Sequence, residues 1–335
     1  MPKFSYAICL SLLTLALLAC QTEIPPPPQA EAAPEKIVVK GPWMGMQPTE
    51  TPKLLAPQLL ASPIREYNAA FSPDGTSFYY TLNYPGQGVI VETQLQEDNT
   101  WAAPVVAPFS GKWSEYDPLF SPDGKFLYFS SERPTPDDPQ NTKSNIWRLT
   151  KEGNSWGAPE YVSLGTTGNY HSSLDEDGHL YFNRWSDGDL YKASPEASGY
   201  SVEKIPGWPE ASQGEGDPFI GPQGDYLIFR GYENTLGRGD LYISYRTPQG
   251  WTPAINLGVP INSPAQEMCP YVTSDGQFFL FASGRKQTPY QPQPGAEIDP
   301  IVAKNISFDN GWENLYYVSA DFIETLRPKN EVKSQ

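Results

Sequence analysis

The chain is short of the side chains that carry most enzyme chemistry. Its 335 residues include two histidines and three cysteines, so a histidine-rich metal site cannot be assembled. It has no Gly-x-Ser-x-Gly nucleophile elbow, no EF-hand spacing of acidic residues and no stretch left over for a hydrolase domain. No metal, no cofactor and no catalytic set is therefore expected. Basic residues are scarce as well: 23 Lys and Arg face 39 Asp and Glu, a formal charge of −16. Such a field repels phosphate backbones, which removes nucleic acid from the expected partners and leaves a solvated acidic surface. After the first twenty residues there is no sustained helical period.

What the chain does have is aromatic and punctuated. Aromatics make up 13% of it, with 36 prolines and 28 glycines, a composition that suits short strands joined by tight turns. The stretch Tyr116 to Ser131 runs from one apolar strand through Ser121-Pro122-Asp123-Gly124 into a second, Phe126 to Ser131. Proline presets φ there and glycine takes the φ > 0 position, so the stretch reads as a β-hairpin. It recurs at Gly75, Gly178, Gly224 and Gly276, and with Gly124 the successive spacings are 49, 54, 46 and 52 residues, close to a propeller blade period. A third strand follows, such as Asn145–Leu149 or Asp240–Ser244. The fourth opens on Trp and Pro, as at Trp101, Trp156 and Trp251. Four antiparallel strands per unit make a blade. The fold class is all-β, a five-bladed β-propeller.

Both ends bear on closure. Leu54–Leu60 resembles a fourth strand standing ahead of the first hairpin, and Asn314–Ser319 resembles a third strand. The last blade is therefore expected to be completed by the N-terminal strand, a latch that removes free sheet edges. A second register makes Ile301–Lys304 a third strand and Trp312 the start of a fourth, which gives six blades with one degenerate. The run Gln287–Gly295 is an insertion loop in either register. The tandem Ser-Pro-Asp-Gly hairpins between about Lys53 and Arg327 resemble the WD-like repeats of TolB-type β-propellers, although the N-terminal domain of that family has no counterpart here.

Ahead of the repeats, Met1–Cys20 carries one positive charge at Lys3, an apolar run from Ala7 to Leu18, and the ending Leu17-Leu18-Ala19-Cys20. That is a secretory signal rather than a membrane span, and its ending resembles the lipobox of bacterial lipoproteins. The resemblance implies lipidation at Cys20 and, with Gln21 next, an outer-membrane anchor facing the periplasm. Cys9 would leave with the leader, so Cys269 alone remains free and no internal disulfide is expected. Residues 20–52, with Pro25–Pro28, read as a disordered tether. The expected organisation is a signal peptide over 1–19, the tether over 20–52, the propeller over 53–327 and a tail over 328–335.

The TolB-type resemblance also implies that first strands line the central channel and that loops entering them share a face with loops leaving second strands. Entering the first strands are Glu66, Asn68, Glu115, Asp117, Asn169, His171, Glu215, Asp217 and Glu267. Leaving the second strands are Asn83, Arg133, Arg184, Arg230 and Arg285. Carboxylates and guanidiniums match bidentately, so each Glu is expected to pair with a neighbouring Arg and tie blade to blade. His171, Asn169 and Cys269 break the pattern and mark specificity. His179 is expected to face solvent, and Trp185–Asp189 to turn into a third strand. The functional expectation is a monomeric, non-enzymatic binding or scaffold module for an envelope protein, peptide or glycan, touching the membrane only through its lipid. The alternative is a glycan-cleaving enzyme, which needs a carboxylate pair roughly 5–10 Å apart in an open cleft.

Overall fold

The computed structural model describes residues 38–208 and 214–329. The predicted signal peptide, Cys20, the Pro25–Pro28 core of the tether and the last six residues of the tail lie outside them.

Each Ser-Pro-Asp-Gly hairpin forms for the reason its residues supply. Gly75, Gly124, Gly178, Gly224 and Gly276 all have φ between 68° and 80°. The Asp carboxylate closes the turn from inside: Ser121 Oγ donates to Asp123 Oδ1 at 2.7 Å, and Ser72 does the same to Asp74 at 2.6 Å. Five antiparallel sheets result. Their first three strands are Arg65–Phe71, Ser77–Tyr84 and Gln87–Gln94 in blade 1, then Glu115–Phe120, Phe126–Ser131 and Asn145–Glu152 in blade 2. Blade 3 has Asn169–Leu174, Leu180–Arg184 and Leu190–Glu196, blade 4 Gly216–Ile220, Tyr226–Gly231 and Asp240–Thr247, and blade 5 Glu267–Val272, Phe278–Ser283 and Asn314–Ser319. First strands of neighbouring blades touch all the way round, blade 5 meeting blade 1.

The fourth strands are interrupted where the Trp and Pro signal stands. In blade 4, Trp251 pairs with Arg246, Pro253 breaks the ladder, and Ile255 resumes it against Ile243. Proline has no N–H to give, so the strand survives as two short pieces. Of blades 1 to 4, blade 3 alone has a continuous fourth strand among the described residues, Gly199–Lys204.

Blade 5 takes its fourth strand from the other end of the domain. Lys53 lies opposite Tyr317 and Leu54 opposite Tyr316, and Leu55 N donates to Leu315 O at 2.9 Å. The expected latch is present but shorter than Leu54–Leu60, because Pro57–Leu60 turns into a helical turn. The six-bladed register fails: Ile301–Lys304 lies in the helix Asp299–Asn305, where Pro300 occupies a first-turn position that tolerates a missing N–H.

The described end of the expected tether is part of the domain. Val39, Met44 and Met46 are buried, Trp43 N donates to Gly75 O at 3.0 Å, and Trp101 Nε1 donates to Gly41 O at 2.7 Å. A Cβ on Gly75 would lie 2.5 Å from the Trp43 ring, so this turn needs glycine for its cover as well as its φ.

The core lies between blades. Leu127 and Phe129 face Ala70, Tyr79 and Ile90 of blade 1, while Tyr128 between them faces Leu180 and Phe182 of blade 3. Second strands are thus buried on both faces, which is why they read as continuous apolar runs. Each fully buried Phe or Leu contributes roughly 1.5–3 kcal/mol. Among the described residues no helix is long and apolar enough to cross a membrane.

Candidate functional site

Every first strand carries a bulge at the same place, between Tyr67 and Ala70, Tyr116 and Leu119, Tyr170 and Ser173, Gly216 and Phe219, and Met268 and Tyr271. The bulged residues Asn68, Asp117, His171, Asp217 and Cys269 all sit in the left-handed region, with φ between 49° and 57°. Asn, Asp and His accept that region more readily than Cys does. Their side chains close a ring on the propeller axis. His171 Nδ1 lies 3.3 Å from Asp117 Oδ1, 3.8 Å from Asp217 Oδ1 and 3.2 Å from Asn68 Nδ2, and Cys269 Sγ lies 3.8 Å from Asp217 Oδ2.

The left-handed turn aims each N–H at the preceding blade, and three blades answer with a side chain from one register position of the second strand. Thr81 Oγ1 accepts from Asp117 N at 3.2 Å, Ser130 Oγ from His171 N at 3.0 Å, and Asn183 Oδ1 from Asp217 N at 2.8 Å. In blade 4 that position, opposite Gly216, is Arg230, which has no acceptor to offer. Cys269 N turns instead to Asp217 Oδ2 at 3.3 Å.

Arg230 is also the residue that departs from the expected pairing. Its Nε lies 3.3 Å from Asp217 Oδ2, and it does not bond Glu215. The glycine opposite makes room: a Cβ on Gly216 would come within 2.9 Å of Arg230 Nη2. The other carboxylates, Glu66, Glu115, Glu215 and Glu267, each stand two residues before an axis residue and are buried. Glu115 accepts from Gly111 N, Ser110, Ser131 and Arg133 Nη2, the last at 3.1 Å, and Glu267 accepts from Ser263, Ser283 and Arg285. These pairs lie within a blade. The stitching between blades is done by the same arginines on backbone carbonyls of the incoming connection: Arg133 to Phe109 at 3.1 Å, Arg184 to Leu164 at 3.4 Å, and Arg285 to Pro260 at 3.0 Å. Arg184 Nε donates to Asn169 Oδ1 at 3.0 Å, while Asn83 meets the Tyr67 hydroxyl instead of a carboxylate.

Glu66 and Glu215 have no arginine. Burial pushes Glu66 up to about 8 against hydrogen bonds from Ser62, and pushes Glu215 up to about 8 against the Trp208 indole N–H. One oxygen of each, Oε1, has no hydrogen-bond partner. On the axis the balance differs. Burial raises Asp117, but His171 more than offsets it and holds the carboxyl below its usual range. Burial lowers His171, and Asp117 and Asp217 override it, so the imidazole is held toward its charged form. Burial, with the two aspartates, pushes the Cys269 thiol well up.

Above the ring opens a cavity of about 540 Å³. Asp117, Asp217, Arg230 and Cys269 lie at its base; Tyr67, Tyr116, Tyr170 and Trp185 form aromatic walls, with Arg65, Glu132 and Lys143 also lining it. Trp185 is 65% exposed and stacks on Tyr170 at 4.6 Å between ring centroids. Its segment is a turn, as expected. The equivalence of the five ring positions was legible from the repeat pattern, but the partner of Arg230 was not. The aromatic walls were not, although each tyrosine stands immediately before an axis residue. His179 does not face solvent freely; its Nδ1 lies 2.9 Å from Asp175 Oδ2.

No protein-family model matches the chain, and no curated protein matches it. Solved structures do. A candidate TolB from Agrobacterium tumefaciens is 16% identical over 77% of this chain and 91% of its own, with a TM-score of 0.46. TolB from Acinetobacter baumannii is 22% identical over 59% of this chain and 44% of its own, at 0.41. The GH43 protein BlXynB from Bacillus licheniformis is 12% identical over 80% and 56%, at 0.47. The fold rests on the chain's own five sheets, and these likenesses say nothing of its activity.

Proposed function

We propose that the chain is a non-enzymatic binding module that takes a polar segment of an envelope peptide or glycan into the mouth of its channel. The cavity supports this reading. Its volume is that of a ligand pocket, and it combines aromatic walls with a few convergent charged groups. The state of the carboxylates speaks against hydrolysis. Asp117 is engaged by His171, Asp217 by Arg230, Glu115 by Arg133 and Glu267 by Arg285. The two carboxyls that hold a proton near neutrality, Glu66 and Glu215, do not line the cavity, and of the carboxylates that do, only Glu132 has no charged partner among the described residues, which is one short of the pair that a glycosidase needs.

The leader supports anchoring through lipidated Cys20 in the outer membrane, facing the periplasm, with residues 20–37 as the spacer and the propeller as a monomer. Binding to arrays of envelope peptides and glycans, compared with Trp185→Ala and Tyr116→Ala, tests the site. A ligand retained by both variants refutes it, and so does turnover of a glycan that disappears on Asp117→Asn. Cys20→Ser should release the protein from membranes without changing binding.

A further inference from the structure

The axis ring at the base of the cavity brings together three kinds of metal donor. His171, Asp217 and Cys269 come from three successive blades, and each offers a ligand atom within 4.8 Å of the others. Their side chains are nine-tenths or more buried. For a tetrahedral zinc ion, bond lengths of about 2.0–2.3 Å place ligand atoms roughly 3.3–3.6 Å apart. His171 Nδ1 lies 3.8 Å from Asp217 Oδ1, Cys269 Sγ lies 3.8 Å from Asp217 Oδ2, and one ligand atom from each residue falls within 4.8 Å of the others, so the set must contract by up to roughly 1 Å around the ion. A fourth donor stands against the imidazole: the Asn68 carboxamide, whose Nδ2 lies 3.2 Å from His171 Nδ1 and whose Oδ1 is buried without a partner, so a flip of the amide turns the oxygen toward the ion. Asp117 Oδ1 lies 3.3 Å from the same Nδ1, so this contact is given up as the ion takes that nitrogen.

We propose that this ring binds one divalent transition ion, with Zn²⁺ preferred, through His171, Asp217 and Cys269, and with Asn68 Oδ1 completing the set. A thiolate with an imidazole and a carboxylate selects a borderline-soft cation over calcium or magnesium. Loading exchanges protons for metal: the Cys269 thiol proton and any proton on the coordinating imidazole nitrogen leave to solvent as the ion enters. Arg230 competes with the ion for Asp217, so affinity falls below that of an all-cysteine structural site. The cavity above supplies the entry path. The site shares Asp217 and Cys269 with the base of the cavity, and its test contains no peptide or glycan.

The test uses the full chain carrying Cys9→Ser and Cys20→Ser, so that Cys269 is its sole thiol, stripped with a chelator and titrated with Co²⁺ and then Zn²⁺. One Co²⁺ per chain is expected, with a thiolate-to-cobalt charge-transfer band that Zn²⁺ bleaches. Zinc should raise the unfolding midpoint, and Cys269→Ser should abolish both the band and the rise. Absence of the band at excess cobalt overturns the proposal without any axis variant having to fold. So does a band that survives Cys269→Ser, or a calcium-induced rise in the midpoint equal to that given by zinc.

Discussion

Glu66 and Glu215 make stability depend on pH in a direction opposite to ordinary acid denaturation. Both carboxyls are pushed up to about 8 in the folded protein by burial, whereas in the unfolded chain they titrate near 4.5. A raised carboxyl pKa means that the folded state holds a proton the unfolded state has released. Each group therefore costs nothing below pH 4.5, costs increasingly between 4.5 and 8, and reaches its full cost above 8. The slope is about 1.4 kcal/mol per pH unit for each group, or roughly 3 kcal/mol each at pH 7. His171, held toward its charged form, adds to the same trend, since its contribution is lost as pH rises through its folded value. Urea unfolding at pH 5, 6, 7 and 8 is the assay. The parent should lose stability steadily across that range, Glu66→Gln and Glu215→Gln should each remove about one slope unit, and the double variant should leave only what His171 and the remaining groups contribute. A parent profile that is flat from pH 5 to 8, or a double variant with the parent's slope, refutes the reasoning.

Three further outcomes follow from the packing. Arg133→Ala strips the guanidinium from Glu115, which is fully buried, and should cost about 3–5 kcal/mol in urea; Glu115→Gln added to it should recover part of that loss, and no recovery would place the cost elsewhere. Leu55, which is 2% exposed and bonded to Leu315 at the latch, should cost about 2–5 kcal/mol as Ala, and an unchanged midpoint would mean that the latch does not hold blade 5. Gly88→Ala would put a Cβ 2.0 Å from the Tyr116 ring, so it should cost about 1–3 kcal/mol by overpacking and shift a wall of the cavity; unchanged stability would argue against that close contact.

The hairpin turns were legible because each is written in residues two to five apart, the blade count because that turn recurs every 46 to 54 residues, and the latch because Leu54–Leu60 resembles a fourth strand with no hairpin before it. A Ser-Pro-Asp-Gly turn sets its own geometry through proline, aspartate and glycine, and alternation marks the strands on either side. Where a local pattern was ambiguous, packing decided. Ile301–Lys304 has the apolar content of a strand, yet it follows Pro300 into a helix. The short run Val39–Met46 looks like spacer, but it covers the turn at Gly75.

The repeat alone determined that Asn68, Asp117, His171, Asp217 and Cys269 occupy one equivalent position in five blades, because a fixed period maps each onto the next. Only the tertiary structure decided that they meet. Ring closure brings residues about fifty positions apart onto one axis, and a bulge with positive φ, invisible in a pattern of alternating polarity, turns all five inward. The partner of Arg230 was settled in the same way: one residue of register against Gly216 separates an arginine that stitches a connection from one that reaches the channel.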